Sequence, residues 1–146
     1  MGLVFENFVY NFYKTKLPSY TVRSGEGIPW DSPEQDSLYP AMKTDITIRK
    51  NDAALIIDTK FYQNMFNTHY HSPDKQKFIS NNIYQLYTYV SNFKSDVPVE
   101  GMLLYPNTSS TVRNERIVSG KRMLINNINL NQDWKDIETE LISLIV

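Results

Sequence analysis

Residues 43–62, KTDITIRKNDAALIIDTKFY, constrain the fold of this chain more than any other stretch. Ile46 and Ile48 alternate with polar neighbours across 44–50, residues 53–62 are richer in apolar side chains, and Asn51-Asp52 between them is turn chemistry. The pattern predicts a β-hairpin. With the turn centred between Asn51 and Asp52, Lys50 faces Ala53, and counting outward places Asp45 directly opposite Asp58. Directly opposed residues share a face, with Cβ atoms roughly 5 Å apart.

Period-two alternation assigns Ala54, Ile56, Asp58, Lys60 and Tyr62 to one side of the second strand, and Leu55, Ile57, Thr59 and Phe61 to the other. Asp45, Asp58 and Lys60 therefore share one patch. Two facing carboxylates repel, so the arrangement calls for a cation between them. Lys60 could supply one charge. A divalent ion held by both carboxylates, a backbone carbonyl and waters is the stronger solution, since Mg²⁺ favours a few carboxylates plus water.

A chain of 146 residues, 41% hydrophobic and 13% aromatic, has room for one domain with a real core, and residues 1–146 are read as that single domain. No apolar run approaches a membrane span, so no membrane role is expected. Cysteine is absent, which excludes disulfides and thiolate zinc sites, and the N-terminus has no signal-peptide pattern. A cytoplasmic location is the expectation. Fifteen basic against 16 acidic residues leave a net charge of −1, which argues against coating nucleic acid by electrostatics alone.

Apolar spacing predicts a helix over 3–14 with Val4, Phe5, Phe8, Val9 and Phe12 buried, and Glu6 at the edge of that stripe, where solvated charges are common. A short strand over 20–24 precedes a loop over 25–39, in which Trp30 either caps the core or meets a nucleic-acid base. His69 and His71 lie in a polar stretch that reads as a solvated loop. Ser80 is placed to cap a helix over 81–93 with Ile83, Leu86, Tyr87, Val90 and Phe93 inward. On its flank Gln85 and Tyr89 are four apart and neighbour each other, as any polar residue beside a half-buried tyrosine would.

A strand over 99–105 is closed by Pro106, and a second hairpin over 111–118 and 122–130 turns at Ser119-Gly120. It carries the densest basic cluster, Arg113, Arg116, Lys121 and Arg122, read equally as phosphate contacts or as a solvated tip. A last helix over 133–145 turns Trp134, Ile137, Leu141, Leu144 and Ile145 inward. The resulting αβββαβ order requires a crossover helix and a mixed central sheet flanked by helices, an α/β (α+β) fold.

Asp45 followed by a hairpin and Asp58-Thr59-Lys60 resembles the D…(D/E)xK signature of the PD-(D/E)XK nuclease superfamily, whose restriction-endonuclease-like core has this element order. The match extends further. Val4-Phe5-Glu6-Asn7-Phe8-Val9, Met42-Lys43-Thr44-Asp45-Ile46, Ile57-Asp58-Thr59-Lys60-Phe61-Tyr62 and Asn82-Ile83-Tyr84-Gln85-Leu86-Tyr87, in this order, resemble the McrC family, over residues 3–105. Its members are nuclease subunits of modified-cytosine restriction systems driven by an AAA+ GTPase partner, McrB.

The resemblance implies a DNA endonuclease dependent on Mg²⁺, with Mn²⁺ as substitute, acting in phage defence. It implies Asp45, Asp58 and the backbone carbonyl of Thr59 as metal ligands, Lys60 as the motif lysine, and Glu6 reaching the metal site from the first helix. Gln85 with Tyr89 resembles the Q-x-x-x-Y element of the RecB-like branch, in which the glutamine orders the site and contacts the substrate backbone. A RecB-like exonuclease, a junction resolvase and a non-catalytic DNA-binding module on the same fold are the alternatives. Family members carry an N-terminal motor-docking region ahead of the first helix, so the chain is read as a catalytic fragment or as a short protein completed by another chain. No Walker-type GxxxxGK[ST] element is present, so nucleotide hydrolysis falls to a partner.

Overall fold

The hairpin expected over residues 43–62 is formed by β4 (Ile46–Arg49) and β5 (Ala54–Thr59), antiparallel in the register derived from its turn. Ile46 faces Ile57, Arg49 faces Ala54, and the Lys50 amide donates to the Ala53 carbonyl at 2.9 Å. Continuing that register one step brings Asp45 opposite Asp58. The structure, a computed structural model, describes residues 2–61, 65–66, 77–107 and 110–146, so the expectations for Tyr62, His69 and His71 lie outside the described residues.

Around the hairpin stand α1 (Gly2–Lys16), β1 (Thr21–Ser24), β2 (Gly27–Ile28), β3 (Met42–Lys43), α2 (Ser80–Asn92), β6 (Val99–Asn107), β7 (Arg113–Val118), β8 (Lys121–Asn129) and α3 (Trp134–Ser143). Six strands form one mixed sheet in the order β1-β4-β5-β6-β8-β7, parallel at β5–β6 and β6–β8. The β5–α2–β6 unit is the expected crossover, and the fold is the mixed α/β core that the element order required. Short β2 and β3 pair with each other.

Alternation along the strands gives each sheet face its own core. Ile46, Ile48, Leu55, Ile57, Met102 and Leu104 pack with α1 and α3. Ile56, Leu103 and Tyr105 pack on the opposite face with Leu86 and Val90 of α2. The helices thus lie on both faces, and the site sits between the end of β5 and the helices that reach past it.

Several boundaries and faces differ from expectation. Val4 is 65% exposed and Phe8 only half-buried, because α1 turns Phe5, Val9, Phe12 and Tyr13 toward the sheet. Phe8 and Phe12 instead meet Trp134 edge-on at ring separations of 6.0 and 5.9 Å, which leaves Trp134 on the α1–α3 seam, half exposed. Ser80 is helical rather than a cap; Ile79 stands at the N-cap and makes no side-chain capping bond. β6 runs through Pro106. The Leu104 carbonyl accepts from the Lys60 amide, so Pro106, two residues on, turns its missing N–H to the same side, where the β5 ladder has ended. Trp30 caps the second core, donating from Nε1 to the Pro40 carbonyl at 2.8 Å. The β7–β8 turn puts Ser119 and Gly120 at φ 50° and 78°, the left-handed pair a two-residue hairpin turn needs.

Candidate active site

Asp45 stands at a bend just before β4, and its Oδ2 accepts two bonds from Thr59 across the hairpin, one from the backbone N–H at 2.9 Å and one from Oγ1 at 3.1 Å. Those bonds lock the first carboxylate onto the second strand. Asp58 is 4% exposed. Lys60 Nζ lies 3.3 Å from its Oδ2, but at an angle that makes no hydrogen bond, so that buried oxygen is left without one. Burial pushes the Asp58 carboxyl up to about 7; the Lys60 ammonium works against that rise and the Asp45 charge adds to it.

The Lys60 ammonium is steered from the opposite side. It donates to Gln85 Oε1 at 2.7 Å, and Gln85 Nε2 donates in turn to the Tyr89 hydroxyl at 3.1 Å. Gln85 and Tyr89 are one helical turn apart on α2, so the helix delivers both to the strand end as a chain. Glu6 arrives from the first turns of α1. Its carboxyl is raised above the usual range by burial, then by the Asp45 charge, against the pull of Lys43.

Glu6, Asp45, Asp58, Thr59, Lys60, Gln85 and Tyr89 line one cleft of about 430 Å³, together with Gly2, Lys43 and Phe61. Its chemistry fits a divalent cation: two facing carboxylates, one with a buried oxygen that no donor satisfies. Among the described residues no group of three or more His, Cys, Asp or Glu side chains is assembled for an ion. The two aspartates and the backbone carbonyl of Thr59 could supply oxygen donors there, and Glu6 lines the same cleft.

The basic cluster lies elsewhere. β7 and β8 are separated from β5 by β6, and two of the four cations are already engaged. Arg113 pairs with Glu140 at 2.8 Å, while Arg122 pairs with Glu100 at 2.8 Å and with Glu115. Arg116 and Lys121 make no ion pair among the described residues. Lys43 and Phe61 were missed as cleft residues; the signal for Lys43 was its two-residue spacing from Asp45.

A family model described as McrBC 5-methylcytosine restriction system component matches residues 1–106, which include the residues of the cleft and exclude the basic hairpin. The Type IV methyl-directed restriction enzyme EcoKMcrBC of Escherichia coli (strain K12) is 33% identical over 151 aligned residues, covering 99% of this chain and 42% of that protein. The chain thus spans less than half the length of the curated relative it matches.

Proposed function

Because the chain belongs to the family of McrBC 5-methylcytosine restriction system components, we propose that it is the DNA-cleaving unit of such a system, a metal-dependent endonuclease that hydrolyses phosphodiester bonds. The observation that carries this reading is the buried Asp58 carboxylate, whose Oδ2, among the described residues, makes no hydrogen bond and meets only the Lys60 ammonium, opposite Asp45 in an open cleft. Asp45, Asp58 and the Thr59 carbonyl would hold Mg²⁺, or Mn²⁺ in its place. When bound, such an ion neutralises phosphate charge and activates water as a nucleophile.

The chain's own groups do the rest. Lys60, kept in place by Gln85, presents an ammonium where charge builds on the phosphoryl oxygens as water attacks phosphorus and the P–O bond to the leaving strand breaks. Tyr89 fixes Gln85, so the ammonium is aimed before substrate arrives. Glu6, with its raised pKa, is placed to hold a cleft water and to take up its proton. By likeness to the family, an AAA+ GTPase would supply the drive along DNA and base-modification recognition would lie in a partner.

Cleavage of methylated and unmethylated plasmid in Mg²⁺ or Mn²⁺, with and without a candidate GTPase partner, tests the proposal. Wild-type protein should cut in at least one condition, and Asp45→Asn, Asp58→Asn and Lys60→Ala should each lower the rate by at least about 100-fold while still folding. Cleavage at the wild-type rate by any of these variants would remove the assignment.

A further inference from the structure

Lys43 has no place in the steps above, yet it lines the same cleft. Its backbone is anchored on both sides: Lys43 is the register partner of Gly27 in the β2–β3 ladder, and the neighbouring Thr44 amide donates to the Glu26 carbonyl at 2.8 Å. Its side chain is exposed and its tip lies over Gly25, which adopts φ +64°, a conformation that favours glycine; a Cβ there would come within 2.9 Å of Lys43 Cε and 3.6 Å of Nζ. The Gly25 amide donates to the Asp45 carbonyl at 3.2 Å, so the turn beneath the lysine tip is joined to the backbone of the first aspartate.

The ammonium makes no ion pair among the described residues; the Glu6 carboxyl feels its charge, but no carboxylate is in contact with it. An exposed lysine that lines an acidic cleft with no carboxylate in contact is free to meet an anion that comes from outside. Lys60 already serves the reacting phosphate. Resting on the nuclease reading, we propose that Lys43 binds a non-scissile phosphate of the DNA backbone, holding the strand in register across the cleft. It is a substrate-binding residue.

The test is equilibrium binding of the full chain to a short labelled duplex in Ca²⁺ over a range of salt, with cleavage in Mn²⁺ measured alongside. Lys43→Ala should weaken binding about five- to tenfold and make the slope of log K against log salt shallower by about 0.9, the effect of one lost phosphate contact. Lys43→Arg should restore most of both. Wild-type affinity and slope in Lys43→Ala, from protein that cuts DNA, would overturn this inference and leave the nuclease reading standing. Wild-type protein that neither cuts nor binds the duplex, with or without a candidate GTPase partner, would overturn both.

Discussion

At the scale of single residues, Asp58 sets the pH behaviour of the metal-free protein. Its carboxyl is raised to about 7 in the fold from a usual 3.8, so the folded state holds its proton more tightly than the unfolded chain does. The stability this represents is whole below about pH 4 and is lost as pH rises through about 7. Asp58→Asn removes the ionisation. In thermal melts without metal, the variant should outlast wild type at pH 8.5 and differ little at pH 4, and added Mg²⁺ should narrow the gap at pH 8.5 by stabilising wild type alone. A wild-type melting temperature that does not fall between pH 5 and 8.5 relative to the variant would show that Asp58 is not held protonated. Gln85 acts through the lysine it aims: Gln85→Leu should reduce single-turnover cleavage about 10- to 100-fold with duplex affinity little changed, because the lost bond orients Lys60.

At the scale of elements, α2 owes its position to Gly101. A Cβ there would fall 2.7 Å from Val90 Cγ2 and 2.9 Å from Leu86 Cδ1, so the helix rests directly on the β6 backbone. Gly101→Ala should cost about 1–3 kcal/mol in denaturant unfolding and also slow cleavage, since Gln85 and Tyr89 ride on the displaced helix. On the other face, the buried Tyr13 hydroxyl donates to the Leu141 carbonyl at 2.7 Å and joins α1 to α3. Tyr13→Phe should cost about 1–2 kcal/mol and leave cleavage unchanged, which would separate α1–α3 docking from the site. These contacts also explain what could be read from the chain. The hairpin register was legible because a short polar turn and strict alternation leave one pairing that buries the apolar face. Asp45, Asp58 and Lys60 follow from that register alone, and the Gln85–Tyr89 neighbourhood from helical spacing. The inward face of α1 was legible in part: Phe5, Val9 and Phe12 are buried as their spacing required, whereas Val4 is exposed, Phe8 turns to Trp134, and Tyr13 is buried because its hydroxyl reaches the Leu141 carbonyl. Strands β2 and β3, two residues each, are too short to carry a period. Lys43 lies in one of these short strands, and only its two-residue spacing from Asp45 pointed to the cleft.

At the scale of the whole molecule, charge and site are kept apart. The net charge is −1, Arg113 and Arg122 are committed to glutamates, and the cleft is rich in carboxylates. A chain built this way has little general attraction for DNA, so its affinity for an unspecific duplex at about 0.15 M salt should be weaker than about 1 µM and should rise when a motor partner contributes its own surface. No described helix is long and apolar enough to cross a membrane. The site thus rests on a mixed sheet whose strand end carries Asp45, Asp58 and Lys60, with α1 bringing Glu6 and α2 bringing Gln85. The proposed function requires a divalent ion held between the two aspartates. Calorimetric titration of Mn²⁺ into wild-type protein and Asp58→Asn, each with a short duplex present, tests that requirement most directly. Saturable binding in wild type that disappears in the folded variant is the outcome expected here. Equal binding by both proteins, or none by wild type, would contradict the metal site and the hydrolytic role built on it.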